Sequence, residues 1–122
     1  MKYELLYADF KKNFPEDKEY FNAAETTAHI DGDDGMHVLF GMVVVPFIVK
    51  LVDEQADSKL QKAFDFFEKM EQTKDPMICE VLEFTILEDF ISRGKEFVDQ
   101  CKAYMGPETK ESYESVAKYM IE

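Results

Sequence analysis

The 122 residues carry 26 acidic and 14 basic side chains, a formal charge of −12. Such a balance excludes nucleic acid as an electrostatic partner, because phosphate binding rests on Lys and Arg. Hydrophobic residues at 46%, with eleven Phe, exclude a disordered chain and can fill the core of a single domain over residues 1–122.

In chain order, the first segment sets Tyr3, Leu6, Tyr7, Phe10 and Phe14 on one face at helical spacing. Pro15 stops it, and a short helix over Asp17 to Ala24 is expected next. The run VLFGMVVVPFIV, residues 38–49, is nearly unbroken apolar sequence. A membrane span needs about 20 such residues, and Lys50 and Asp53 cut this one short. Val43, Val44 and Val45 favour a strand, but Pro46 would remove a ladder hydrogen bond there. A buried helix kinked between Gly41 and Pro46 satisfies both.

Asp57 and Ser58 are candidate caps for a helix with the apolar stripe Leu60, Ala63, Phe64, Phe67 and Met70. Asp75 as N-cap with Pro76 at the first helical position starts the next. On a helical wheel, its Ile78, Val81, Leu82 and Thr85 lie opposite Phe84, Leu87 and Ile91. Such a helix is either sandwiched or presents an apolar surface set with acids to a partner. A further helix carries Phe97, Cys101, Tyr104 and Met105, closed by Gly106 in a left-handed cap. Pro107 opens the last, with Tyr113, Val116, Ala117 and Met120 inward. The expected fold is all-α, about six helices in antiparallel pairs, a helical-repeat-like compact bundle around a kinked buried central helix.

The densest candidate for chemistry is AHIDGDDGMH, residues 28–37, which holds both histidines. Counted from Asp31, the positions of a calcium loop fall on Gly35, Met36 and Met42, which is no match. His29 and His37 flank a Gly-rich turn, so no helix face presents both to zinc. The simpler expectation is a turn in which Asp33 or Asp34 caps the following helix and His37 is a hydrogen-bonded wall residue. A metal-dependent hydrolase built on His29, Asp31, Asp33 and His37 stands as the enzymatic alternative. No nucleophile elbow, phosphate loop or HExxH motif is present, and neither a cofactor nor a metal is expected. Glu88 and Asp89 suit an ion pair with Arg93 or an acidic notch for a partner's cation. Cys79 and Cys101 fit no paired-cysteine spacing and read as reduced thiols. The N-terminal MKYELLYADFKK shows no export signal, so the expected location is the cytoplasm.

Three stretches, MHVLFGMVVVPFIVKLV, LQKAFDFFEKMEQTKDPMICEVLEFTILEDF and YMGPETKESYESV, together resemble a family of small bacterial α-helical proteins. Many members are immunity proteins that protect against toxins of contact-dependent inhibition and similar toxin–antitoxin systems. The most specific pieces are Phe64, Phe66 or Phe67, Glu68 and Met70; Leu87-Glu88-Asp89; and Gly106-Pro107-x-Thr109. The resemblance implies an inhibitor, not an enzyme, whose partner is a cognate toxin, basic and nuclease-like, with no membrane partner. Acidity spread evenly suits that role: both halves of the chain, split after Gln61, carry −6. The expected partner-binding acids are Asp31, Asp33, Asp34, Asp65, Glu68, Glu80 and Glu83. A helical-repeat-like adaptor for another basic partner is the alternative without a toxin.

Overall fold

Seven helices and no strand occupy the described residues, 1–121, of the structure, a computed structural model. They are α1 (Leu6–Lys12), α2 (Lys18–Ala28), α3 (Met36–Asp53), α4 (Asp57–Gln72), α5 (residues 76–92), α6 (Lys95–Lys102) and α7 (Pro107–Ile121). The all-α class follows directly. Central α3 touches α1, α2, α4, α5 and α6, while α7 lies across α4 and α5.

Nine of the eleven phenylalanines are buried in the core. Phe10 of α1 stacks on Phe67 at 6.0 Å and meets the rings of Phe14, Phe21, Phe40, Phe47 and Phe66 at tilted or edge-on angles. The stripe expected on α4 is buried as a whole: Leu60, Ala63, Phe64, Phe67 and Met70.

Four turns end in the left-handed region: His29 (φ 58°), Gln55 (φ 54°), Lys74 (φ 56°) and Gly94 (φ 106°). Only the last is glycine, and a side chain in this conformation costs about 1 kcal/mol. Gln55 is exposed. Gln55→Gly is therefore expected to raise stability by about 0.5–1 kcal/mol, seen as a higher urea midpoint at unchanged slope.

Several expected caps are placed differently. α2 runs on to Ala28, past the expected end at Ala24. Asp33 and Asp34 do not cap α3, whose N-cap is Gly35 with no side-chain hydrogen bond. Instead the Asp34 carboxylate accepts from the Asp31 amide at 2.9 Å, and the Asp31 carboxylate accepts from the Asp33 amide at 2.8 Å. These acids close their own loop. Asp57 and Ser58 are also not caps: Ala56 precedes α4, and Asp57 accepts from the Tyr104 hydroxyl. Asp75 does cap α5, accepting from the Met77 amide at 2.9 Å ahead of Pro76.

α3 carries one widened turn where a kink is expected, and is continuous from Met36 to Asp53. Residues Phe40–Val44 wind as a π-helix, with the Val45 amide reaching back to the Phe40 carbonyl. Pro46 has no N–H to give and would press on the carbonyl of Met42, so a wider turn just before it removes the conflict. By length and composition the 18 residues Met36–Asp53 could cross a membrane, contrary to the expectation that the run is too short. In this fold Leu39, Phe40, Val43, Phe47, Ile48 and Leu51 instead form the centre of the core.

α5 is widened too, with π winding over Val81–Leu87 and the Glu88 amide on the Glu83 carbonyl. A widened turn rotates everything after it by about 100° relative to a straight wheel. Leu87, set by a straight wheel with Phe84 opposite Val81 and Leu82, is fully buried beside Ile86 and Phe90, as a sandwiched helix requires, while Phe84 stays exposed. The two widened segments pack together where Gly41 lacks a side chain, since a Cβ there would stand 3.3 Å from Thr85 Cγ2.

The seam between α4 and α7 joins two of the stretches that carry the family resemblance. Glu68 accepts from the Thr109 amide (2.9 Å), the Thr109 hydroxyl (2.8 Å) and the Glu108 amide (3.1 Å). It thereby caps α7 from a neighbouring helix. Gly106 is not in the left-handed region and closes nothing; its carbonyl accepts the first helical bond of α7, from Lys110. Glycine is required because a Cβ at this position would lie 2.5 Å from the Glu68 carboxyl carbon.

Candidate functional site

Two places gather groups that the fold itself does not consume. The first is buried, at the meeting of α4, α5 and α7. Glu71 is one turn beyond Glu68 and is only 6% exposed. Its Oε1 is the one side-chain oxygen or nitrogen among the described residues that is buried without a hydrogen-bond partner. A donor atom of Glu71, Cys79 Sγ and a carboxylate oxygen of Glu83 lie within 4.8 Å of one another. Burial, then the neighbouring Glu83, lift the Glu71 carboxyl to about 7, partly opposed by Ser112 of α7 and by Lys74. The Cys79 thiol is also pushed up, first by burial and then by the charges of Glu71 and Glu83. Lys74, the nearest cation, is committed to Glu108 at 2.5 Å. The cluster thus crowds two carboxyl groups and a thiol in a buried place, beside a lysine bonded elsewhere.

The second place is the outer face of α5. Met77 (55% exposed) and Phe84 (53%) stand open on either side of exposed Glu80. Thr85, beside Phe84, shares a 2.5 Å hydrogen bond with His37 Nδ1 of α3. Exposed Val38 and Met42 follow on that same helix. His37 is a surface side chain anchored to the neighbouring helix. Isolated apolar side chains on a surface are ordinary, but a large ring among acids on one helix is a feature of docking faces.

The seven acids expected to bind a partner do not form one site. Asp31, Asp33 and Asp34 stay on the α2–α3 loop, two of them occupied by its own amides. Asp65 is exposed, accepts from Gln61 at 2.8 Å, and lines an open groove with Lys12, Lys62 and Lys69. Glu68 is spent on the α7 cap, where burial opposes its charge but the hydrogen bonds from Thr109 and Glu108 and the Lys74 charge outweigh it. Its pKa lies below the ordinary carboxylate range. Glu83 turns toward Glu71 and Cys79. Glu80 is exposed on the apolar strip, and its carboxylate has no hydrogen-bond or ion-pair partner among the described residues. Asp89 is paired with Arg93 at 2.6 Å, the ion-pair alternative for that step.

Among the described residues, no three of His29, Asp31, Asp33 and His37 meet at ligand distance. Cys101 is fully buried, and burial alone pushes its thiol up to about 12. Sequence reasoning passed over the Glu71 cluster, because Glu71 sits at the end of a helix in what looks like a wet position. The signal was present in Phe67, Met70 and Glu71: an acid adjoining two core positions at the end of the apolar stripe.

Residues 7–120 match the domain of unknown function DUF7674. The chain belongs to this family. No curated protein and no solved structure matches it. The DUF7674 match takes in the Glu68–Thr109 seam, the Glu71 cluster and the α5 strip, so all three lie inside the family domain.

Proposed function

We propose that this DUF7674 protein is an immunity-type binding protein that neutralises a basic, nuclease-like toxin in the cytoplasm by occupying it, without chemistry of its own. The observation that supports this reading is the strip Met77–Glu80–Phe84, an apolar ring and thioether flanking an exposed acid on a domain of charge −12. General acidity speeds encounter with a cationic protein, but affinity concentrates in a few desolvated anchors. Phe84 is the anchor and Glu80 the charge that meets a partner's Lys or Arg. The strip replaces the dispersed acids as the proposed interface. Asp65 is flanked by lysines, and reversing Glu68 would test folding, not binding.

The test is a pair of exposed substitutions measured against the cognate toxin. Phe84→Asp is expected to weaken binding by roughly two orders of magnitude, mostly through faster dissociation. Glu80→Lys is expected to slow association and flatten its dependence on salt. Both variants should melt with the wild type. Unchanged affinity in both would remove the strip from the interface.

A further inference from the structure

The Glu71 cluster is expensive as it stands. Two carboxyl groups and a thiol share a space with one orphaned, fully enclosed oxygen, and the neighbouring lysine is bonded elsewhere. A buried acceptor without a donor costs about 1–3 kcal/mol, so such an arrangement persists where something fills the position. Ser112 and Glu83 adjoin the carboxyl group, yet Oε1 accepts no hydrogen bond from the described residues. Glu71 comes from the last turn of α4, whereas Cys79 and Glu83 are four residues apart on α5, Glu83 within its widened turn. Three donors therefore converge from two helices, with Ser112 of α7 beside them.

We propose that Glu71, Cys79 and Glu83 form a binding site for one divalent transition metal of the zinc class. The donor set selects the ion. Calcium and magnesium take six or more oxygens or keep several waters, and neither favours a thiolate. Zinc accepts sulfur and carboxylate oxygen together, is content with four ligands, and is often held by three protein groups plus water. Binding exchanges the Cys79 thiol proton, and the proton held between the two carboxyl groups, for the ion. The charge of the cluster is then the same before and after, so no additional net charge is buried. The Cys79 thiol, which at present donates weakly toward the Met70 and Glu71 carbonyls at 3.7 and 3.9 Å, becomes a thiolate ligand. An ion here would tie the end of α4 to the first turns of α5. The site is separate from the proposed docking strip and does not depend on it.

Cobalt reports on the site directly. The chelator-treated, reduced full chain is titrated with Co2+ at neutral pH and followed by absorbance, with Zn2+ then added as competitor. The expected result is a saturable thiolate-to-cobalt charge-transfer band with visible bands of tetrahedral intensity, all erased by Zn2+. Cys79→Ser should abolish the charge-transfer band, whereas Cys101→Ser should leave it intact. Glu83→Gln, at a half-exposed position, should keep the fold and weaken Co2+ binding roughly tenfold or more. Circular dichroism melts confirm that each variant is folded. No charge-transfer band, a band that survives Cys79→Ser, or saturation by Mg2+ or Ca2+ alone would overturn the assignment.

Discussion

Glu68→Ala is expected to cost about 3 kcal/mol, well beyond what a half-exposed acid on a helix contributes by charge alone. Its carboxylate is the acceptor for two amides at the start of α7 and for the Thr109 hydroxyl, a residue with 0% exposure. Removing it strands those donors, at about 1–3 kcal/mol for the buried set as a whole, and adds the loss of a cap at about 1 kcal/mol. Gly106→Ala attacks the same contact from the other side, because the new methyl stands 2.5–2.8 Å from the Glu68 side chain. The carboxylate could swing away, but only by breaking its three bonds. Gly106→Ala should therefore cost about 2 kcal/mol in the wild type and about 0.5 kcal/mol or less where Glu68 is already Ala. Chemical unfolding of the four proteins closes this cycle. Simple addition of the two losses would show that they act on different contacts. The low pKa of Glu68 also fixes a pH trend: its stabilisation is complete above the unfolded carboxylate pKa and is lost as pH falls through the lower, folded value.

Glu71→Gln is expected to do the opposite and stabilise the chelator-treated protein at pH 8. With its carboxyl raised from 4.5 to about 7, Glu71 is held mainly as the acid at pH 6 and is forced to ionise in a buried place above pH 7. A folded-state pKa above the unfolded one means that the native state binds the extra proton. Stability contributed by that proton is full below the unfolded value and disappears as pH rises through the folded one. The groups facing Glu71 are Glu83, Cys79, Ser112 and Lys74, and the nearest charge, Glu83, has the wrong sign to help. The shift corresponds to about 3 kcal/mol at alkaline pH. Gln keeps the shape and a hydrogen-bonding amide without the charge. The wild type should lose stability between pH 5 and 8, while Glu71→Gln stays nearly flat over that range. Parallel pH profiles for the two proteins would show that Glu71 does not titrate in this window.

The helical class and the phenylalanine core were legible in the sequence because both rest on spacing. The stripe from Leu60 to Met70 obeys a straight helical period, and its residues are buried as that period requires. The failures share a cause. α3 and α5 each contain a π segment, so a fixed period groups buried Leu87 with exposed Phe84, and no short motif announces the extra residue. The Gly106-Pro107-x-Thr109 motif was visible, but its purpose was not, because the side chain it accommodates lies on α4. The same limit hid the Glu71 cluster. Its members are ordinary acids and a cysteine until α4, α5 and α7 meet. Conversely the seven expected partner-binding acids were chosen for charge and helical position alone, and the fold employs Glu68 and draws Glu83 inward.

The docking strip proposed on α5 would meet a cationic protein. Its most direct test is affinity capture from the source cells with two baits side by side, the wild type and a Glu80→Lys/Phe84→Asp variant of equal thermal stability. The expected result is a basic protein with nuclease activity that is retained by the wild type, lost from the variant, and released as salt is raised. An acidic partner, or one held equally by both baits, would contradict it.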